Sequence, residues 1–421
     1  MPHSARANYI CVSSGIRGVK PTLQDVIDAR RILRGVIRRT PLDYSNTFSR
    51  MTGCKLYLKM ESLQKTGSFK VRGAYVKINS LSKKQKSNGV VAASAGNHGQ
   101  GVAFTSGMQK IPCTIVMPVN ASPAKVSATR GYGAEVVLHG VLYDQSWDKA
   151  QEIAKEQDRT LIHPFDDPYV IAGQGTVGLE ILEDLPDLDA IYVPIGGGGL
   201  AAGLSVAIKS KKPKVKVIGV QTKAFPAMKI SLDKGSIVET SHGSTIADGI
   251  SVKHPGELTF EILNKYIDDV VTVSDNEIVK AMFLLMERTK LVVEPAGAVG
   301  LAYLLSNGGI SKDKKIVTVL TGGNVDMYLL GQIVSKGLLE TGRMLKISVR
   351  LVDRPGELKN VVDSIVANRV NIVEVLHDRL SQDVAVGKAK VTLSLETEDN
   401  AHTERLMQFL KKNHIEFEVV S

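Results

Sequence analysis

Cysteine is scarce in this 421-residue chain: Cys11, Cys54 and Cys113 are scattered, and no two form a Cys-x-x-Cys pair. That spacing argues against a structural zinc site and against a disulfide framework. Long apolar runs are missing too, so no membrane-spanning helix is expected. The first twenty residues lack the apolar core of a secretory signal, because Arg6, Asn8, Arg17 and several serines interrupt them. These absences predict a cytoplasmic protein without a membrane partner. Acidic residues are the minority charge, 43 against 53 basic, giving a formal net charge of +10. Such a charge raises nucleic acid as a partner. Yet residues 1–50 hold nine Lys/Arg and three Asp/Glu, more than half of the excess. Arg30, Arg34 and Arg38 fall at i, i+4 spacing, which reads as a solvated helix face or a subunit contact. No aromatic stacking platform or helix-turn-helix pattern accompanies them, so no nucleic-acid partner is expected.

What is present is an ordinary globular composition, 43% apolar and 23% charged, in a chain long enough for two or three domains. From about Lys20 to Gly342, short β-branched runs alternate with longer helical stretches. The expected strands are Val90–Ala93, Thr114–Met117, Glu135–Leu138, Ile191–Ile195, Val215–Val220, Val270–Val273 and Ile316–Leu320. Most are continuously apolar, as parallel strands covered on both faces should be. The predicted class is α/β, with ligands at the carboxyl ends of the strands. The strands fall into two groups, a smaller subdomain of about residues 52–160 and the rest, with a cleft between them.

After Gly342 the period changes. Lys346–Leu351, Lys388–Leu395 and Ile415–Val419 alternate strictly between polar and apolar. Leu358, Val361, Val362, Ile365 and Val366 form a helical stripe between the first two. A strand near Ile372–Leu376 and a helix near Thr403–Lys412 complete a β-α-β-β-α-β order. The expected organisation is an extension at 1–20, an α/β part at 21–342 and a ferredoxin-like module at 343–421.

Several loops carry chemistry. The strand ending at Ile195 runs into Gly196-Gly-Gly-Gly199-Leu200 and then a helical stretch. Four bare glycines at a helix start let backbone N–H groups converge on an anion, with the helix dipole behind them. A turn needing one glycine would not carry four, since each adds chain entropy to be lost on folding. Lys70, in Gly67-Ser-Phe-Lys-Val-Arg-Gly-Ala74, sits between apolar neighbours, where partial burial would lower its pKa and free a nucleophilic amine. Ser94-Ala-Gly-Asn-His-Gly-Gln-Gly101 follows another strand and offers backbone donors to a second anion. Asn97 can donate to a phenolic oxygen; His98 is either a base or a structural residue of the loop. Thr321-Gly-Gly-Asn324 could bring a hydroxyl to a heterocyclic nitrogen. A literal G-x-G-x-x-G at Gly173, Gly175 and Gly178 lacks the preceding strand and the later acidic residue of a dinucleotide site, so a close-packed helix start is the better account.

Together these segments resemble the threonine/serine dehydratase family of fold-type II (tryptophan synthase β-like) enzymes, from about Pro21 onward. The resemblance implies pyridoxal 5′-phosphate held as a Schiff base on Lys70, with Phe69 packed against its ring. It implies that Asn97 bonds the phenolic oxygen, that Gly196, Gly197, Gly198, Gly199 and Leu200 hold the phosphate, and that Thr321 faces the pyridine nitrogen. Ser94, Ala95, Gly96, Asn97 and His98 would receive the substrate carboxylate. The implied reaction is β-elimination from L-threonine to 2-oxobutanoate and ammonia, within isoleucine biosynthesis. Racemases of the family carry a serine where this chain has Ala95, so racemisation is not expected. They also bind a divalent metal through acidic residues, where this chain has Gln221 and Ala227, so no metal is expected.

The 343–421 module resembles an ACT domain, on Arg354-Pro-Gly-Glu-Leu358. That implies an amino-acid effector near Asp353 and Gly356, isoleucine or valine, and assembly as a homodimer or homotetramer. Two other readings stay open: an L-serine or dual-specificity dehydratase, and a catalytically inactive amino-acid-binding regulatory protein.

Overall fold

The computed structural model describes residues 20–240, 243–308 and 311–420. Residues 1–19 of the expected extension, Cys11 among them, lie outside the described residues. The chain divides into two compact units between Val325 and Asp326.

In the first unit the strands are β1 (Leu42–Tyr44), β2 (Lys55–Lys59), β3 (Val90–Ala93), β4 (Cys113–Met117), β5 (Glu135–Leu138), β6 (Thr160–Leu161), β7 (Ala190–Pro194), β8 (Lys216–Thr222), β9 (Asp269–Val273) and β10 (Lys315–Val319). They form two sheets. The larger runs β1-β2-β10-β7-β8-β9 and is parallel apart from the antiparallel β1–β2 pair. The smaller runs β5-β4-β3-β6 and is parallel throughout. All the expected strands are present within two residues of their predicted ends. Continuity of the apolar runs made them readable, since β3, β4 and β7 are buried at every position. β2 lies inside the 52–160 span grouped with the smaller sheet, but it pairs with β10 in the larger one, Leu56 opposite Ile316.

Apolar cores hold the sheets in place, among them one on the larger sheet and one on each side of the smaller. The first packs Ile191, Val193, Val217 and Val317 against Ile171, Leu179, Leu204 and Ile208 of the helices Pro168–Asp184 and Gly199–Lys211. The second gathers Ile78, Val90, Ala92, Val102, Ile115 and Met117 under the smaller sheet. On that sheet's other side, Val91, Ala93 and Val116 pack on Ala150 and Ile153. Each fully buried Val, Leu or Ile is worth roughly 1.5–3 kcal/mol, so these cores supply much of the stabilisation that holds the strands under the loops.

Gly173, Gly175 and Gly178 fall in the middle of helix Pro168–Asp184 rather than at its start. The close packing expected of them is real: a Cβ on Gly173 would lie 2.7 Å from Arg72 O, and one on Gly175 2.7 Å from Gly203 O. The first helix, Leu23–Leu33, begins at a Thr22–Asp25 capping box and stops at Arg34. Arg38 therefore lies outside it, and the expected one-face row of arginines does not form.

The second unit opens with helix Met327–Glu340. It continues as β11 (Met344–Val352), helix Glu357–Ala367, β12 (Asn371–Asp378), β13 (Lys388–Glu396), helix Asn400–Lys412 and β14 (Phe417–Val419). The antiparallel sheet order is β12-β13-β11-β14, the ferredoxin-like arrangement read from the alternation. Ile347, Val349, Val391, Leu393 and Leu395 face Val361, Ile365, Leu406 and Leu410 of the two later helices. Among the described residues, no helix is long and apolar enough to cross a membrane.

Candidate active site

Three neighbouring strands, β2, β10 and β7, run parallel and so end on one side of the larger sheet. Their exits are the segments singled out in the sequence. β2 leads through a short 3-10 turn, Glu61–Leu63, to the Lys70 loop; β10 runs into Thr321–Asn324 and β7 into Gly196–Leu200. In the smaller sheet the adjacent strands β3 and β6 deliver Ser94–His98 and Ile162–Phe165 in the same way.

Lys70 is the first residue of helix Lys70–Asn79, and its Nζ donates to Pro164 O at 2.9 Å. Burial lowers its pKa to about 8, against an opposing pull from Glu294. At pH 7 roughly a tenth of such amines is uncharged, against well under a thousandth for an ordinary lysine. Phe69 N–H donates to Thr321 O at 3.1 Å, and Gly323 N–H to Gly67 O at 2.8 Å. Asn324 Nδ2 reaches Thr66 O at 3.0 Å, so the Lys70 and Thr321 loops are laced together. Thr321 itself is buried.

Asn97 begins helix Asn97–Gln109. Its Nδ2 donates to both carboxylate oxygens of Glu294 at 2.8 Å, and its Oδ1 accepts from Asn324 Nδ2 at 2.5 Å. Glu294 is buried, and burial raises its pKa to about 7 although the Asn97 amide pulls it down. Sequence reasoning missed Glu294. The available signal was an acid wedged between Val292-Val293 and the mostly apolar helix Pro295–Asn307.

Ser94 Oγ accepts the Gly96 N–H at 3.1 Å, shaping the loop around Ala95. His98 is buried with its Nε2 2.9 Å from Ile162 O, and burial drops its pKa to about 3. The imidazole is therefore neutral and committed to the β6 exit, which leaves residue 98 its backbone N–H for a bound carboxylate. No side chain caps helix Asn97–Gln109, so its first N–H groups keep that capacity.

The helix Gly199–Lys211 likewise starts without a side-chain cap, behind Gly198 at φ +97°. Its first N–H groups have no intrahelical partner and lie at the positive end of the dipole, an arrangement suited to an anion. A Cβ on Gly197 would lie 2.3 Å from the Phe165 ring, and one on Gly199 2.9 Å from the same residue. Packing, and not only backbone freedom, requires glycine here. Phe165 follows the Pro164 carbonyl that holds Lys70 Nζ, so one short segment touches both the lysine and the glycine loop. The expected Gln221 is buried and hydrogen-bonded, its Oε1 accepting from Lys229 N at 2.9 Å, and Ala227 opens helix Ala227–Lys234.

The structure thus brings Lys70, Phe69, Asn97, Ser94–His98 and Thr321 to one place, with Gly196–Leu200 joined to it through Phe165. The set fits a phosphate-bearing aldehyde cofactor: uncapped N–H groups for the phosphate, a lysine with a lowered pKa for the carbonyl carbon, and an amide for a ring oxygen.

Comparison with known proteins follows the same line. The chain is 48% identical over 399 residues to an L-threonine ammonia-lyase of Thermotoga maritima, covering 95% of this chain and 99% of that one. The processed form of threonine deaminase isoform 2 from Solanum lycopersicum has a similar structure, with a TM-score of 0.72 and 35% identity over 77% of this chain and 92% of that one. Maize serine racemase also gives a TM-score of 0.72, at 36% identity over 76% and 98% of the two chains. Residues 33–322 match the family model described as "Pyridoxal-phosphate dependent enzyme", and the chain belongs to that family.

Proposed function

We propose that this chain is an L-threonine ammonia-lyase, converting L-threonine to 2-oxobutanoate and ammonia by β-elimination. The observation that carries the reading is 48% identity to a protein of that name across 95% of the chain, both compact units included. When bound, pyridoxal 5′-phosphate supplies the electron sink for the pair left at the substrate Cα.

The chain's own residues do the rest. Lys70 would hold the cofactor, and once the substrate amine has displaced it, its freed Nζ would remove the Cα proton. The N–H groups of Gly196–Leu200 hold the phosphate, Asn97 donates to the ring oxygen, and Phe69 and Thr321 seat the ring. Within the Ser94–His98 loop, the N–H groups at the uncapped start of helix Asn97–Gln109 receive the substrate carboxylate. Glu294, poised near pH 7 beside Asn97, answers charge changes at the ring oxygen. Ala95 carries no transferable proton on its side chain, which supports elimination over the racemisation named for the maize neighbour.

The second unit is read as an ACT-like regulatory domain. A cavity of about 300 Å³ lined by Asp353, Arg354, Gly356, His377 and Arg379 supports this. Arg379 Nε holds the Asp353 carboxylate at 2.9 and 3.0 Å. Gly356 has φ +100° and nothing within 4 Å of where its Cβ would be, so a ligand can meet bare backbone. An amino-acid effector such as isoleucine or valine, a place in isoleucine biosynthesis and a cytoplasmic location belong to the same reading. So does assembly as two or four copies, supported by exposed Val373, Val375 and Leu376 on the edge strand β12.

The test is turnover of L-threonine and L-serine by purified protein loaded with cofactor. The expected result is 2-oxobutanoate formation with kcat/KM favouring threonine by roughly 10-fold or more, the span one methyl group can supply. A preference for serine would replace the proposal with a serine dehydratase, and no turnover of either would favour an inactive regulatory protein.

A further inference from the structure

Two residues beyond Lys70 lies Arg72, completely buried. Its Nε donates to Glu61 Oε2 at 2.8 Å and its Nη2 to Glu61 Oε1 at 2.7 Å and Glu180 Oε2 at 3.0 Å. Its Nη1 donates to Glu180 Oε1 at 2.7 Å and Thr176 Oγ1 at 3.1 Å. All five guanidinium N–H groups are thereby used. Glu180 also accepts from Lys59 Nζ at 2.6 Å, whose other partner is Thr40 O at 2.8 Å; Glu61 accepts the Thr40 hydroxyl. Two cations and two carboxylates, none more than 5% exposed, cancel in charge inside the protein.

Stability alone is a poor reason for this cluster. Removing each ion from water costs several kcal/mol, and a well-packed apolar group of the same volume often holds a fold as well or better. What an apolar group lacks is direction. The planar fork of Arg72 fixes its helix against the 3-10 turn at Glu61–Leu63 and helix Pro168–Asp184, and Glu180 ties in the end of β2 through Lys59. The neighbouring helix is pressed close at the same level, where a Cβ on Gly73 would lie 2.8 Å from Val170 O.

Geometry connects the fork to Lys70. Successive helical residues turn by about 100°, so the side chains of residues 70 and 72 leave the axis on nearly opposite sides. An extended lysine nitrogen stands roughly 8 Å from that axis, so a rotation of about 10° moves it by about 1.4 Å. A shift of about 1 Å in a reacting group is enough to cost about 100-fold in rate.

We propose that Arg72, clamped by Glu61 and Glu180, is a positioning residue: it locks the rotation of helix Lys70–Asn79 and so sets where Lys70 Nζ stands. The proposal rests on the reading of Lys70 as the cofactor-bearing lysine.

The test uses cofactor-loaded enzyme and two variants. Arg72→Lys keeps the charge without the fork. The combined variant Lys59→Met, Glu61→Leu, Arg72→Met and Glu180→Leu replaces the network with apolar groups. Borohydride reduction followed by peptide mapping establishes that the cofactor is attached in each. Both variants are expected to load at Lys70 and lose roughly 10- to 100-fold in kcat with little change in KM, while the combined variant keeps its melting temperature. A loaded variant with unchanged kcat overturns the positioning role. So does a combined variant that fails to fold, because the network would then serve the fold itself. Attachment at a residue other than Lys70 in the unsubstituted enzyme would instead sink the reading beneath it.

Discussion

At the scale of residues, the site turns on two opposed groups that burial pushes toward neutrality. Lys70 is lowered to about 8 and Glu294 raised to about 7, and in each case burial outweighs the attraction of the opposite charge. Lys70 must lose a proton before it can attack a carbonyl carbon, so the attacking fraction rises with pH and levels off above the pKa. Loading of the cofactor-free protein should therefore speed up with a midpoint near pH 8, followed by visible absorbance; a midpoint near 10 would mean the amine is not buried as described. Lys70, Asn97 and the glycine loop were legible in the sequence because each sits beside glycines that mark a strand exit. Glu294 was not, because its value comes from Asn97, almost two hundred residues away. Arg72 was hidden for the same reason: Glu61 is near in sequence, but Glu180 is 108 residues on.

At the scale of elements, strands announced themselves when their apolar runs were unbroken. β2 did not. It begins and ends with lysine, and Lys59 is tolerated in the interior because Glu180 meets it at 2.6 Å and Thr40 O at 2.8 Å. Short β1 and β6 carry too few residues for any pattern. The Gly173, Gly175 and Gly178 run was read correctly as packing and placed wrongly as a helix start, since the partner helices that demand it are remote in sequence. The loop after β7 makes a sharper claim. Gly197→Ala would drive a methyl into the Phe165 ring, at a distance of 2.3 Å before any shift. Displacing that ring disturbs both the glycine loop and the segment holding Lys70. Cofactor affinity is expected to fall at least 10-fold, measured by fluorescence titration, while Gly131→Ala, with open space around its Cβ, leaves it unchanged.

At the scale of the whole molecule, the change of hydropathy period after Gly342 marks a second folding pattern, and the β-α-β-β-α-β order of its elements is legible in the sequence. The compact division falls earlier, between Val325 and Asp326, because helix Met327–Glu340 groups with the second unit. If that unit senses an amino acid, Asp353→Asn should remove any response of threonine turnover to added isoleucine or valine and leave the basal rate alone. Isothermal titration of the same variant should show the matching loss of binding, and an undiminished response would move the effector elsewhere.

The central claim is that Lys70 bears the cofactor. Borohydride reduction of the loaded enzyme, proteolysis and mass spectrometry read this directly. The account predicts one modified peptide with the pyridoxyl group on Lys70, absent from Lys70→Ala. Modification at another lysine, or labelling that survives the substitution, would contradict it.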